Sequence, residues 1–324
     1  MKRAFFVFVL LGLIFTAGSL HAQVNSGSII EVSASLNKSS YKVGEPIFLN
    51  FEFKNTTTRL VEFRTRLSFH YGDIKLLIQK PESLPLNYKG IFQSSFYPYY
   101  LYKIPPGDTE RVTFTILYEE ESQDGLVFSK PMEAKISLGL DALVGNKKEF
   151  YRFPAMEVQI NKPEGKDLKA LSELRKKSLV KDIHRGRSSP ENHEFLESFL
   201  KKYPDSFYYP YILYALGNGY TWKTEEFEPD RKKAIELFKK FIEMYPSHIL
   251  TDDAIYKIGH CYDGLNDKET ANRWFVKLYN EYPESNRINH PDMMMRKYIY
   301  QEPDELTMPS EWMLYKHQND QGLW

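Results

Sequence analysis

The sequence predicts a multi-domain β + α chain, with an N-terminal β-sandwich followed by a C-terminal α-helical solenoid. Apolar and polar residues alternate through residues 28–161, as they do in half-buried strands. From Lys162 onward, apolar residues recur at helical spacing and a motif repeats, which is typical of stacked helical hairpins. After a leader, we predict a sandwich over residues 23–161 and a linker with a degenerate first helix over 162–189. Helical repeats with a capping helix follow over 190–300, and a tail over 301–324.

Residues 1–22 have the layout of a secretory signal peptide. The positive segment Met1-Lys2-Arg3 precedes an apolar run from Ala4 to Ala17, and Ala22 offers a small residue at the cleavage point. The alternative is an N-terminal membrane anchor, for which the run is short, since a membrane span needs about 20 residues. We predict an exported protein, periplasmic or extracellular, with no stable transmembrane segment after cleavage near Ala22.

Composition narrows the possible functions. Lys and Arg total 43 and Asp and Glu total 43, so the zero net charge gives no general field for binding nucleic acid. The 23 Tyr and 22 Phe residues need large buried surfaces, which predicts a globular chain. The single cysteine, Cys261, excludes an intramolecular disulfide, a pattern that suits a bacterial periplasm or cell exterior.

Seven alternating runs predict seven short strands in the N-terminal half. They start near Ile30, Ile47, Val61, Ile74, Val112, Met132 and Met156. Turn-forming residues separate the runs, including the segments 43–46 (Val-Gly-Glu-Pro) and 105–108 (Pro-Pro-Gly-Asp). This pattern favours two packed antiparallel sheets.

The segment from Tyr41 to Asn55 resembles the opening of many bacterial immunoglobulin-like domains. In those domains a Tyr-x-x-Gly-Glu turn precedes a strand that ends in Asn, as Tyr41, Gly44, Glu45 and Asn55 do here. The resemblance implies an immunoglobulin-like β-sandwich for residues 23–161. One branch of these domains is proteinase-inhibitor-like, so protease inhibition through the sandwich is an alternative function.

An aromatic run lies at residues 92–104. Tyr97, Tyr99, Tyr100 and Tyr102 are candidate ligand contacts, because an aromatic platform suits a sugar or a peptide. The other interpretation is an edge strand whose rings pack on the sheet while their hydroxyls reach water. The first interpretation makes the sandwich a carbohydrate-binding module.

The most informative feature of the chain is an internal repeat. Tyr-Pro occurs at Tyr203, Tyr245 and Tyr282, and the residues four and seven positions before each Tyr are apolar and lie on one helix face. The proline then stops each helix. A companion helix repeats as Tyr-x-x-Gly-x-x-Tyr at 214–220 and 256–262.

This pattern resembles that of tetratricopeptide repeats. One repeat, at residues 252–285, fits the 34-residue period of that family. A second, at 210–248, fits with five extra residues, and a third, at 173–206, keeps only its second helix. The repeat-defining positions are Gly217, Tyr220, Ala234, Phe238, Pro246, Gly259, Tyr262, Ala271, Phe275 and Pro283. The Tyr-Pro closure looks like that of exported repeat proteins of bacterial envelopes. The resemblance implies a concave groove that holds a protein or peptide partner.

No sequence motif for catalysis, cofactor binding or metal binding is present. The pair His260-Cys261 suggests a nucleophile or a metal ligand, but both fall on a repeat helix, where Cys suits a small core position. The basic stretch 181–187 is either an anion-binding patch or the solvated face of a helix. We therefore predict a non-enzymatic interaction scaffold or adaptor of the bacterial cell envelope, with no cofactor and no nucleic acid partner. The sequence does not specify the oligomeric state.

Overall fold

The computed structural model describes residues 20–24, 29–65, 67, 69, 73–88, 90 and 100–288. Most of the predicted signal peptide lies outside them, as do Tyr97, Tyr99, the predicted capping helix and the tail. The predicted cleavage point after Ala22 falls within the first strand. In the part of the chain that is described, no helix is long and apolar enough to cross a membrane.

The described N-terminal half is built of strands. These are β1 Leu20–Val24, β2 Ile30–Leu36, β3 Ser40–Lys42, β4 Ile47–Asn55, β5 Val61–Thr65, β6 Ile74–Gln79, β7 Leu86–Asn87, β8 Tyr100–Ile104, β9 Thr109–Ile116, β10 Met132–Val144, β11 Lys147–Arg152 and β12 Met156–Asn161.

The first sheet has the strand order β1-β2-β4-β9, and every neighbouring pair is antiparallel. Alternation decides which face of this sheet is buried. In β4, Leu49, Phe51 and Phe53 are fully buried, whereas Asn50 and Glu52 between them stay partly exposed. One face therefore packs into the core against the second sheet, and the other face is polar.

The second sheet is organised around β10, whose 13 residues exceed the length of every other described strand. One edge of β10 pairs with β12 and then β11, and the other edge pairs with β6 and then β5. The strands β8 and β7 extend the sheet from β5 and β6, and β3 joins β12 in parallel. Rings from the two sheets meet in the core, where the ring centroids of Phe53 in β4 and Phe63 in β5 lie 4.5 Å apart.

The prediction of an immunoglobulin-like β-sandwich is wrong. Such a sandwich has about seven to nine antiparallel strands in two sheets of similar size. Here the sheets hold four and eight of the described strands, β3 and β12 run parallel, and β10 pairs with four different strands. The motif at Tyr41–Asn55 encodes a local turn and strand that many β folds share, whereas the pairing of distant strands depends on packing across the whole half. The coarser prediction of a β-rich region followed by a helical region does describe the chain.

Seven helices follow in the described residues. They are α1 Gly165–Leu174, α2 Lys177–Arg185, α3 His193–Lys202, α4 Tyr209–Gly219, α5 Arg231–Met244, α6 Thr251–Gly264 and α7 Lys268–Glu281. From α3 onward each helix packs on the next. The segment predicted as a linker holds α1 and α2, and α1 buries Ala170, Leu171 and Leu174.

The Tyr-Pro steps end three of the helices in one geometry. Tyr203, Tyr245 and Tyr282 follow α3, α5 and α7 with φ of −126°, −135° and −132°, and each N–H still donates to the carbonyl four residues earlier. The backbone leaves the helix at the tyrosine because a residue before proline is excluded from the helical region.

A side chain two residues after each of these prolines accepts a hydrogen bond within the turn that follows. The equivalent residues Ser206, His248 and Ser285 each accept a hydrogen bond of 3.2 Å from a backbone N–H two positions later. This position therefore needs a side-chain acceptor, which explains why serine and histidine alternate there.

The turn between β3 and β4 docks the sheets onto the helices. Gly44 has a φ of 80°, and a β-carbon at this residue would lie 2.6 Å from Leu171 Cδ1 of α1. The hydroxyl of Tyr208 donates to the Val43 carbonyl at 2.6 Å. The buried core is consequently continuous from the sheets into the helices as far as α6.

A buried carboxylate completes this junction. Glu45 is 4% exposed, pairs with Lys38, and accepts hydrogen bonds from the backbone N–H of Lys42 and, at 3.2 Å, from the hydroxyl of Tyr211 in α4. Burial raises the pKa of Glu45, and these partners offset much of that effect. Lys38 and Lys42 belong to the β-rich half and Tyr211 to the helices, so Glu45 links the two halves.

Candidate functional site

A cleft of about 660 Å³ lies between the polar face of the first sheet and the helices. Its sheet wall consists of Ser35, Phe48, Asn50, Glu52, Arg111, Thr113 and Thr115. Its helix wall consists of Ile183, Arg185, Tyr211, Tyr214, Asn218, Asp252, Asp253 and Lys257. These helix-wall residues come from α2, α4 and α6, the first helices of successive hairpins. Among the described residues, the inner face of the repeats is therefore roofed by the sheet.

The sheet wall follows from the two-residue period of β4 and β9. Asn50 pairs with Thr113 in the strand register, and Glu52 pairs with Arg111. Thr113 Oγ1 donates to Asn50 Oδ1 at 2.7 Å, and Arg111 Nε donates to Glu52 Oε1 at 2.9 Å. The wall thus presents a ladder of hydroxyl, amide and charged groups, while the alternate residues fill the core.

The two ends of this ladder contact the helices differently. At one end Phe48, which is 5% exposed, stacks on Tyr211 with ring centroids 6.4 Å apart. At the other end Arg111 Nη2 lies 2.5 Å from the carboxylate of Glu284, which follows α7. The first contact is buried and apolar, whereas the Glu284 side chain is 74% exposed.

Charged groups cluster on the helix wall near α6. Asp253 pairs with Arg287, and this carboxylate raises the pKa of the Arg287 guanidinium. Asp252 accepts a hydrogen bond of 2.6 Å from Ser285 Oγ. Burial and the neighbouring Asp253 raise the pKa of Asp252.

Lys257 lies one turn further along α6 and is half-buried. Within the described residues, no carboxylate forms an ion pair with its ammonium. Burial and the charge of Arg287 lower the pKa of Lys257 to about 8. Lys257 is therefore a partly buried cation without an ion-pair partner among the described residues.

The pair His260-Cys261 lies on α6 behind the helix wall. Cys261 is 2% exposed, and burial raises the pKa of its thiol to about 11. A thiol that stays protonated near neutral pH is a weak nucleophile and a weak metal ligand. In the described part of the chain, no group of three or more His, Cys, Asp or Glu residues is placed to hold a metal ion.

The repeat-defining residues hold the hairpins together and do not line the cleft. Gly217 and Gly259 face the rings of Phe238 and Phe275, where added β-carbons would lie 3.1 and 2.5 Å from the nearest ring atoms. The other buried members of this set are Ala234 and Ala271, which are 0% exposed, and Tyr220, which is 8% exposed. Three lie nearer the surface, namely Tyr262, Pro246 and Pro283.

One aromatic candidate, Tyr102, lies away from the cleft. Tyr100 and Tyr102 belong to β8, and the Tyr102 ring packs 6.1 Å from Phe53 and 6.3 Å from Phe63. Tyr102 thus contributes to packing between the sheets. Tyr97 and Tyr99 lie outside the described residues.

Sequence reasoning missed the sheet wall, although β4 and β9 carry a signal for it. Polar residues at Asn50, Glu52 and Thr113 alternate with core residues, which indicates a second face but does not say what covers it. The basic residues of the stretch 181–187 lie in different places in the structure. Arg185 lines the cleft, whereas Arg187 packs 3.7 Å from the ring centroid of Trp222.

One known protein family matches the sequence of the last described hairpin, α6–α7. Residues 253–285 match the tetratricopeptide repeat family. The α6–α7 hairpin is a tetratricopeptide-like repeat. Repeats of this kind generally mediate binding of protein partners.

No curated protein matches the chain. The protein described as ApaA from Bordetella pertussis is similar over 44% of this chain and 90% of its own, at 10% identity and a TM-score of 0.23. A β-glucosidase from Erythrobacter marinus covers 44% of this chain at 12% identity and a TM-score of 0.22. A β-glucosidase from Listeria innocua covers 43% at 15% identity and a TM-score of 0.23. The chain spans 16% and 17% of the two glucosidases. Scores this low indicate neither a shared fold nor a shared activity.

Proposed function

We propose that this protein is a non-catalytic interaction module of the bacterial cell envelope, acting as a scaffold or adaptor, that binds a short segment of a partner protein. The binding site is the cleft between the sheet wall and the helix wall. The observation that supports this is the cleft of about 660 Å³ on the inner face of the tetratricopeptide-like helices. This volume falls in the range of sites that enclose a small ligand or a few residues of a peptide.

The chemistry of the walls suits a peptide. Tyr211 and Tyr214 on α4 line the cleft, and because they are only 7% and 4% exposed they form its rigid floor. Asn50 and Thr113 on the opposite wall offer hydrogen-bonding groups at the spacing of a strand. A segment held between the two walls would satisfy its polar groups against the sheet.

A cleft-filling variant tests this proposal. Thr113→Trp adds a large ring to an exposed position of the sheet wall and leaves the core face of β9 unchanged. Thr109→Trp is a matched control, because Thr109 lies on the same strand and face, four residues away, and does not line the cleft. Both variants and the parent full-length chain would be panned against a random peptide library displayed on phage.

We expect peptides selected on the parent chain to bind the Thr109→Trp variant with unchanged affinity and to lose at least about tenfold on Thr113→Trp, since a ring in the cleft excludes the ligand. Equal binding by all three chains would place the peptide site elsewhere and refute the proposal.

Export is the second part of the proposal and is supported by residues 1–22 alone. Mass spectrometry of the native protein, isolated by cell fractionation, tests it. We expect the mature chain to begin near Gln23 and to be recovered outside the cytoplasm. Recovery of a chain that retains Met1 in the cytoplasm would contradict this part and leave the cleft proposal intact.

A further inference from the structure

We infer that the segment bound in the cleft is acidic and that one of its carboxylates pairs with Lys257 on the helix wall. This inference rests on the proposed peptide-binding function of the cleft and names the chemistry of its ligand. It follows from the distribution of charge in the cleft.

Most charges that line the cleft already have partners. Arg111 lies between Glu52 and Glu284, and Arg287 pairs with Asp253. Asp252, the remaining carboxylate of the lining, is hydrogen-bonded to Ser285. The carboxylates of the cleft are therefore engaged within the protein.

Two cations of the lining differ from these. Arg185 and Lys257 form no ion pair with any described carboxylate, and Arg185 is exposed whereas Lys257 is half-buried. A solvated arginine needs no partner, whereas a half-buried lysine without an ion pair gains more from a carboxylate. A negatively charged ligand group beside Lys257 would consequently be favourable.

The groups around Lys257 sharpen this preference. Asp253 and Cys261 lie on its own helix, Arg287 follows α7, and Arg187 lies between α2 and α3. The two arginines oppose the charge of Lys257, and Asp253, which favours it, is already bound to Arg287. A ligand carboxylate would replace lost hydration and offset the repulsion from both arginines.

The experiment compares matched peptides on matched variants of the full chain. Peptides that depend on the cleft, as judged by Thr113→Trp, are synthesised in two forms, one as selected and one with each Asp and Glu replaced by its amide. Both forms are titrated by isothermal calorimetry against the parent chain and against Lys257→Gln, Lys257→Arg and Lys232→Gln. Lys232 is an exposed lysine of α5 outside the cleft, so its variant controls for the change in net charge.

We expect selected peptides to be rich in Asp and Glu. They should bind Lys257→Gln at least about tenfold more weakly than the parent, as for loss of a charge-assisted hydrogen bond. Lys257→Arg should retain most of the affinity, Lys232→Gln all of it, and the amide form should bind the parent and Lys257→Gln equally. Thermal unfolding of Lys257→Gln checks that the variant is folded.

If acidic and amide forms bind the parent equally, or if Lys257→Gln weakens both forms alike, the inference is wrong. Binding that still depends on Thr113 would in that case leave the proposed cleft function standing. If no selected peptide depends on Thr113, the proposed function itself fails, and the inference fails with it.

Discussion

Acid should destabilise this protein partly through one side chain, that of His248 in the turn before α6. Its Nδ1 accepts a hydrogen bond from the backbone N–H of Leu250, which requires an unprotonated nitrogen. The ring also packs 5.1 Å from Tyr211 and 5.4 Å from Phe241. Burial, with a smaller contribution from Lys38, lowers the pKa of His248 from 6.5 to about 4.

The sign of the effect follows from proton uptake. Between pH 8 and pH 5 the unfolded chain protonates His248, whereas the folded chain does not until the pH approaches about 4. Stability from this residue is therefore present above pH 6.5 and is lost as the pH falls. Between pH 8 and pH 5 a fully buried group with this pKa would lower the free energy of unfolding by about 2 kcal/mol. Because His248 is half-buried, we expect between about 1 and 2 kcal/mol.

The assay is urea unfolding of the full chain at pH 8 and pH 5, for the parent and for His248→Asn. The Asn side chain keeps an acceptor near Nδ1 but does not titrate, so its loss of stability between the two pH values should be smaller by about 1 to 2 kcal/mol. Ser285→Asn, at the equivalent position of the next repeat, should keep the parent's pH dependence. An equal loss for the parent and His248→Asn would show that His248 is not held neutral.

Two further predictions use matched pairs. Gly259→Ala should lower the free energy of unfolding by about 1 to 3 kcal/mol, because its β-carbon would lie 2.5 Å from the Phe275 ring, whereas Gly217→Ala, with a 3.1 Å contact, should stay within about 1 kcal/mol of the parent; thermal unfolding that ranks them the other way would refute the close-packing argument. Tyr208→Phe should cost about 1 kcal/mol in urea unfolding, because it removes the 2.6 Å hydrogen bond to the β3–β4 turn. Tyr209→Phe is its control, since the Tyr209 hydroxyl has no hydrogen bond within the described residues, and equal effects would show that the bond contributes nothing measurable.

The helical half could be predicted from the sequence because its signals are local. A Tyr-Pro step, with apolar residues four and seven positions earlier, specifies where a helix ends and which face it buries, and α5 and α7 end at Met244 and Glu281 accordingly. The role of the position two residues after proline was visible only as a preference for serine or histidine. The hydrogen bond that this side chain accepts is visible only in the folded structure.

The sheets could be predicted only strand by strand. Alternation located β4 and most of β10, but the pairing of β10 with four strands brings together residues as distant as Phe63 and Val144. A turn motif such as Tyr41–Asn55 carries no information about those partners. The immunoglobulin-like prediction failed at this point, where local pattern stops determining topology.

The cleft was the least predictable feature because its walls come from opposite halves of the chain. Neither the polar face of β9 nor the inner face of α6 is a site by itself. They become one because the β3–β4 turn fixes the sheets against α1 and α4 through Gly44, Glu45 and Tyr208. The same residues that join the halves therefore set the width of the cleft.

This arrangement also indicates where a ligand enters. The end closed by Phe48 and Tyr211 is buried and tied to the Glu45 junction, so opening it would disrupt the core between the halves. The opposite end is closed by the pair Arg111–Glu284, whose carboxylate is largely exposed. Exposed ion pairs contribute about 0 to 1 kcal/mol, so this end opens at little cost. An acidic segment that enters at this end would compete with Glu284 for Arg111.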